Sequence, residues 1–307
     1  MHNAPYPAQP ASMRALRLAA FTIAGAALLA AFSGTAAGQQ RLDRQLPLNA
    51  MGLLRITNEL GSVRITGWDR DSVSVGGSAG ADVQFYMGGT PVGIKLGVEV
   101  GKSAAESTAD LVIRVPMRAR IWVRTIDGDV DVHAFNGELT VVAINSRVRV
   151  KGALRQASIE TLGGDVDLTA SPDYLRIRTG AGRVTWFGSS EDAAIITVSG
   201  GIAATAGSVV RGRFESVTGD VRFTGSTPAT GSLAFDTHAG DIHVGLAKDV
   251  QADVSAAAIS LNLFGTMATS KLGAQPGTSN ATIGGKGFGG ATIIARSFKG
   301  KVVFTQP

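Results

Sequence analysis

An apolar phrase returns every 18 residues through the middle of this chain, and few folds can accommodate such a recurrence. Each copy runs apolar residue, small polar residue two places on, Gly, then two apolar residues at alternate positions. The clearest copies are Ile159-Glu160-Thr161-Leu162-Gly163-Gly164-Asp165-Val166-Asp167-Leu168 and Phe214-Glu215-Ser216-Val217-Thr218-Gly219-Asp220-Val221-Arg222-Phe223. Aligned on the residue after the Gly-Asp step, the copies give Val63, Val130, Val148, Val166, Val184, Ile202, Val221, Ile242 and Val302. The spacing is 18 residues from Val130 to Ile202, then 19 and 21.

The chemistry at each phase says what the phrase builds. Seven residues before the anchors stand Ile56, Val123, Val141, Ile159, Ile177, Ile195, Phe214, Phe235 and Ala295. Two after them stand Ile65, Val132, Val150, Leu168, Trp186, Ala204, Phe223, Val244 and Phe304. Apolar residues at every second position are strand alternation, because successive side chains on a strand point to opposite faces. Two before the anchors stand Gly61, Gly128, Ser146, Gly164, Gly182, Gly200, Gly219, Gly240 and Gly300, so a corner with positive φ is expected there. A second small column, Gly67, Ala134, Gly152, Ala170, Gly188, Ala206 and Gly225, marks the next corner. Strand, corner, strand, corner in 18 residues predicts an all-β fold, a parallel β-helix or β-solenoid of stacked coils, with longer irregular coils at the N-terminal end. An antiparallel β-sandwich also offers short strands and turns, but it does not need one chemistry at five phases of a fixed period.

Residues 1–38 stand apart from this pattern. Arg14 and Arg17 precede the uncharged apolar stretch Leu18 to Phe32, and Ser33 to Gly38 is a run of small residues, as in a secretory signal peptide; Met13 is an alternative start. An uncleaved anchor is the alternative reading, against which the apolar run is short for a bilayer span. No Cys follows it, which excludes a lipid-modified cysteine. The expected location is outside the cytoplasm: periplasm, outer surface or medium. The absence of Cys anywhere fits a fold held by stacking rather than by disulfides. Removing Arg14 and Arg17, with no acid among residues 1–38, lowers the net charge from +5 to +3. So weak a positive bias does not support nucleic-acid binding, which calls for a clustered basic face with stacking aromatics.

Residues 39–53 read as an extended mature N-terminus and 54–307 as one domain. Within it, residues 66–120 form longer alternating strands that cap or precede the regular coils, with a loop from Lys102 to Asp110. Residues 121–245 are the regular coils, 266–290 is rich in Gly, Ser, Thr and Ala and reads as a mobile loop, and 293–304 returns as a final coil. A hydroxyl column, Thr125, Thr161, Thr179, Thr197, Ser216 and Thr237, interrupted by Ala143, is placed to bond along the stack or to satisfy corner backbone groups. Acids and bases alternate just before the anchors, as Asp129, Arg147, Asp165 and Arg183, and just after them, as Asp131, Arg149 and Asp167. Such ladders fix strand register.

The signal-like start, the first copy at Ile56 to Ile65, Val115-Pro116, and Gly128-Asp129-Val130 followed by further Gly-Asp-Val copies together resemble the bacterial putative-adhesin family of domains of unknown function. The resemblance spans residues 50–305. It implies an exported β-helical protein of the cell envelope, with no established activity or catalytic residues. Ser146-Arg147 and Gly182-Arg183 depart from the Gly-Asp step, so the Asp is not uniformly required.

Two groups of residues are candidates for chemistry. Asp129, Asp165, Asp220 and Asp241 share a phase, as the carboxylates of a polysaccharide lyase, a hydrolase or a Ca²⁺ site would. Arg147 and Arg183 intervene, which is how a charge ladder looks. Asp236, His238, Asp241 and His243 surround one corner and have the side chains of a Zn²⁺ site. His238 falls at a turn and His243 on an outward strand phase, so they read as solvated surface. No catalytic, cofactor-binding or metal-binding residue is therefore assigned, and no nucleotide or nucleophile motif is present. The expected function is a non-enzymatic adhesin-like or scaffolding protein. Its expected partner is an extended one, a glycan or an envelope or surface protein, with self-association open and no membrane span once the signal is cleaved. The rival reading is a β-helical carbohydrate-active enzyme.

Overall fold

The computed structural model describes residues 40–100, 108–265, 267–272, 278–283 and 290–306. The predicted signal segment and most of the Lys102 to Asp110 loop lie outside them. The described residues all belong to one compact unit, which runs from Ala37 to Pro307.

Every described element is a strand, and all belong to one sheet. The first part holds β1 (Gln40–Pro47), β2 (Leu53–Leu60), β3 (Val63–Trp68), β4 (Ser72–Ala79), β5 (Val83–Thr90), β6 (Gly93–Val100) and β7 (Ala109–Pro116). Next come β8 (Arg120–Asp127), β9 (Val130–Phe135), β10 (Glu138–Asn145), β11 (Val148–Gly152), β12 (Gln156–Gly163), β13 (Val166–Thr169), β14 (Tyr174–Thr179), β15 (Val184–Thr197), β16 (Ile202–Ser216), β17 (Val221–Gly225), β18 (Ser232–Thr237) and β19 (Ile242–Leu246). The last are β20 (Ala252–Ala257), β21 (Ser260–Gly265), β22 (Met267–Leu272), β23 (Thr278–Ile283), β24 (Ala291–Ser297) and β25 (Lys301–Gln306).

The columns read from the sequence pair residue for residue. Val130 pairs with Val148, Val148 with Val166, Val166 with Val184 and Val184 with Ile202. Ile159 likewise pairs with Ile177, and Ile177 with Ile195. These residues are buried, and from Leu54 to Phe304 they form one apolar core. Inward residues of β16, β17 and β18 bring Phe214, Phe223 and Phe235 into a cluster with ring centroids 5.2 to 5.4 Å apart.

The architecture differs from the predicted parallel β-helix or solenoid. Fifteen strands of the main sheet nearly close into a barrel of mixed topology. The parallel ladders give way to antiparallel pairs at both ends. β5 and β6 form a hairpin, β4 lies antiparallel to both β1 and β7, and β23 lies antiparallel to both β20 and β22. An 18-residue period reports parallel register only where it persists. It does not report how the remaining strands cover unpaired edges, and hairpins are the local way to do so. Residues 39–53, read as extended, contribute β1. Of the predicted mobile loop 266–290, residues 267–272 and 278–283 are strand, and the rest apart from Gly290 lies outside the described residues. The final segment is threaded rather than appended. β24 pairs with β18 on one side and β20 on the other, and β25 lies between β19 and β21.

Beyond Thr125, whose buried hydroxyl has no hydrogen-bond partner, the hydroxyl column serves the corners in both of the ways expected. Ser216 and Ser297 each accept from the backbone N–H three residues on, at 2.8 Å, and donate to the carbonyl oxygen of a glycine at the preceding corner, Gly200 at 3.2 Å and Gly240 at 2.8 Å. Thr237 repeats the pattern with Gly240 N–H and Gly219 O. The glycine column has a different cause from the one expected. Gly61, Gly128 and Gly164 do adopt positive φ, but Gly182, Gly200, Gly219, Gly240 and Gly300 do not. A Cβ on any of these five would stand 1.8 to 2.2 Å from the carbonyl oxygen of the preceding corner glycine. Close approach of backbone to backbone keeps them glycine.

Candidate binding groove

Where β15, β16, β18, β24 and β20 lie side by side, the outward residues Ile196, Glu215, Asp236, Arg296 and Ala257 fall in register. They floor an open groove of about 1010 Å³ whose rim is the adjoining corner: Val217, His238, Phe298 and Ile259. Phe298 is 70% exposed and Ile259 72%, although Ser297 and Ala258, each one place before them, are buried. The His238 ring stacks on Phe298 with centroids 5.0 Å apart and an interplanar angle of 13°. The rim is thus an apolar and aromatic ledge above a floor bearing two carboxylates and a guanidinium.

Burial pushes the Asp236 carboxyl above the usual carboxylate range. Arg296 works against that rise and Glu215 adds to it. Glu215 itself bonds Arg213.

The four carboxylates that share a phase have structural partners. Asp165 accepts the Arg183 backbone N–H at 2.9 Å, Asp220 that of Asp241 at 3.0 Å and Asp241 that of Lys301 at 2.8 Å. The Asp of the Gly-Asp step therefore caps a backbone donor on the next strand. Asp129 instead pairs with Arg149 at 2.7 Å. The corner group is drawn apart in the same way. Asp236 faces the groove, His238 stacks on Phe298, Asp241 holds Lys301, and His243 lies on the outward phase of β19 opposite Arg222 and Val303. Among the described residues, no three of His, Asp and Glu come together as metal ligands.

Arg149 anchors the charge ladder. Its guanidinium reaches Asp131 at 2.6 Å and Asp129 at 2.7 Å, and its hydrogen bond holds the nearly buried Asp131 carboxyl below the usual range. Arg149→Ala is expected to lower stability by about 1–2 kcal/mol near neutral pH, toward the upper end for an exposed network because Asp131 loses its partner. Asp131 has a folded pKa below its unfolded value, so its contribution is complete above the unfolded pKa and is lost as pH falls through the folded one. Urea titrations of wild type and variant should therefore converge on acidification below about pH 4. A gap that stays constant down to strong acid would rule Asp131 out as its source.

Among the described residues, no helix is long and apolar enough to cross a membrane. No curated protein matches the chain. Solved structures similar to it include a putative cell adhesion protein from Clostridium sporogenes ATCC 15579, at 10% identity and TM-score 0.23, covering 87% of this chain and 100% of that one. A putative lipid binding protein from Parabacteroides distasonis ATCC 8503 is 11% identical with TM-score 0.48, over 86% of this chain and 96% of its own. A putative adhesin from Bacteroides fragilis NCTC 9343 is 14% identical with TM-score 0.39, over 88% and 99%. Likeness this slight leaves ligand and activity to be argued from the groove. The model of a family of domains of unknown function, described as Toastrack DUF4097, matches residues 54–283, three quarters of the sequence, and the chain belongs to that family.

Proposed function

We propose that this chain is a non-enzymatic, exported protein of the cell envelope that binds an extended glycan along the groove. The observation that carries the reading is the exposed Phe298 face, backed by His238 and set above Asp236, Glu215 and Arg296. The negative face of an aromatic ring attracts the C–H face of a sugar ring. Carboxylates and a guanidinium beside it supply the acceptors and donors that hydroxyl groups need. An open groove in a rigid sheet admits a polymer rather than enclosing a small molecule. The export reading of residues 1–38 supports a location where envelope glycans are met.

The test is a glycan array with the exported protein, followed by titration of the best ligand. Phe298→Ala is expected to weaken binding at least tenfold with the melting temperature unchanged, because the ring lies outside the core. Equal affinity in the variant would overturn the reading. A second reading, hydrolysis of the bound glycan, rests on Asp236 and Glu215 facing the same groove from paired strands with the Asp236 carboxyl pushed upward. Release of reducing ends that disappears in Asp236→Asn would establish it over simple binding.

A further inference from the structure

The row of outward residues that floors the groove continues across the sheet, from Ile196 through Arg178, Glu160 and Val142 to Arg124 and Thr57. Along this face the cations on β14, β15 and β16 are neutralised. Arg176 and Arg211 both hold Asp192, at 2.7 and 3.3 Å, Arg178 holds Glu160 at 3.5 Å, and Arg213 holds Glu215. The far end of the face is different. There β6, β2 and β8 present Lys95, Arg55, Arg120 and Arg124, all exposed, and none of the four forms an ion pair among the described residues.

Arg55 stands in register with Lys95 on one side and with Trp122 on the other. Arg120 and Arg124 lie two residues to either side of Trp122 on the same phase of β8. The Trp122 ring is half-buried and faces outward, since Ile121 and Val123 beside it are core residues. Its row runs on into Thr140 and Ser158, both half-buried. Glu138 is in register with Arg120 without pairing to it, and Glu59 and Glu99 stand four residues from Arg55 and Lys95, about 13 Å along their strands. Like charges facing each other across two strands destabilise a sheet. The Arg55–Lys95 pair is left in that condition, while the rest of the face is balanced.

We infer that the row from Lys95 to Ser158 is a second binding track, which takes an acidic polysaccharide lying across the strands. An external carboxylate relieves the repulsion, and a planar guanidinium matches it with two parallel hydrogen bonds. A uronic acid unit also carries a C–H face for the Trp122 ring and hydroxyl groups for Thr140 and Ser158. Five strands at about 4.8 Å spacing give the track about 19 Å, room for a short run of sugar units. The ring offers a flat face rather than a wedge and hydroxyls follow it, which favours a sugar chain over a bilayer, and the export reading favours a glycan over a nucleic acid. None of these residues lines the groove, so the inference does not depend on glycan binding there.

Titration calorimetry of the exported protein with polygalacturonate oligomers tests it, with neutral dextran, single-stranded DNA and phosphatidylglycerol vesicles alongside. The wild type is expected to bind polygalacturonate and not dextran, with affinity falling about tenfold or more between about 50 and 300 mM salt. Arg55→Gln combined with Arg124→Gln should weaken binding about tenfold or more, with a melting temperature no lower than that of the wild type. Arg211→Gln combined with Arg213→Gln removes the same charge from paired positions on the same face and should leave affinity nearly unchanged, as should Phe298→Ala in the groove. Absence of polygalacturonate binding overturns the inference. Equal losses in the two double variants would reduce it to net charge, and a loss confined to Phe298→Ala would move the acidic chain to the groove; either result overturns it. Tighter binding of single-stranded DNA or of the vesicles than of polygalacturonate assigns the cations to that partner and overturns it too.

Discussion

Gly200→Ala should lower the free energy of unfolding by about 3 kcal/mol or more, while Gly201→Ala, one residue on, should leave it within about 0.5 kcal/mol of wild type. A methyl group at Gly200 would stand 1.9 Å from the carbonyl oxygen of Gly182 and 2.7 Å from its carbon, and both are backbone atoms that cannot turn aside. Relief requires the two strands to separate, which breaks ladder bonds on either side of the corner. At Gly201 the nearest atom is 3.5 Å away, an ordinary contact. Neither residue has positive φ, so conformational strain does not distinguish them. Chemical denaturation of the two variants separates crowding from chain entropy. Equal losses would show that the corner column is glycine for some reason other than close approach.

Phe235→Ala is the second large effect, with an expected loss of about 3–5 kcal/mol. The ring is fully buried, stacks on Phe214 at 5.2 Å and tilts against Phe223 at 5.4 Å. Truncation removes both contacts and leaves a cavity that a sheet bonded on both sides cannot close. Phe264→Ala, where the ring is 57% exposed, should change stability by no more than about 0.5 kcal/mol. A denaturation midpoint for Phe235→Ala equal to that of Phe264→Ala would mean that the aromatic cluster contributes no more than a surface ring.

The sequence carried the pairing of residues further than it carried the architecture. Val148 over Val166 and Ile159 over Ile177 follow from recurrence alone, because strand alternation and a constant period determine which side chains are neighbours. The closure of the sheet was not legible. Nor were the antiparallel ends of the sheet, the hairpin of β5 and β6 and the strands β4, β22 and β23, which lie in segments where no period survives. The Asp of the Gly-Asp step was visible as a ladder, but its role as a backbone acceptor was not, since only the structure shows the N–H it faces. The groove was missed because carboxylates and histidines point to Asp241 and His243 rather than to Phe298 and Arg296. A signal was present: an apolar residue directly after the hydroxyl, at Ile144, Leu162, Val198, Val217 and Phe298, on a phase that alternation assigns to solvent.

The threading of β24 and β25 between earlier strands sets an order of events during biogenesis. These residues are synthesised after β18 to β21, yet they occupy an interior position, with β18 and β19 on one side and β20 and β21 on the other. Until they arrive, β20 and β21 must be held away from β18 and β19, or pair with them wrongly and be displaced. A chain that stops short of β24 does not merely lose an end. It leaves a seam with two facing rows of unpaired amides, the kind of surface on which quality-control proteases and edge-to-edge aggregation act.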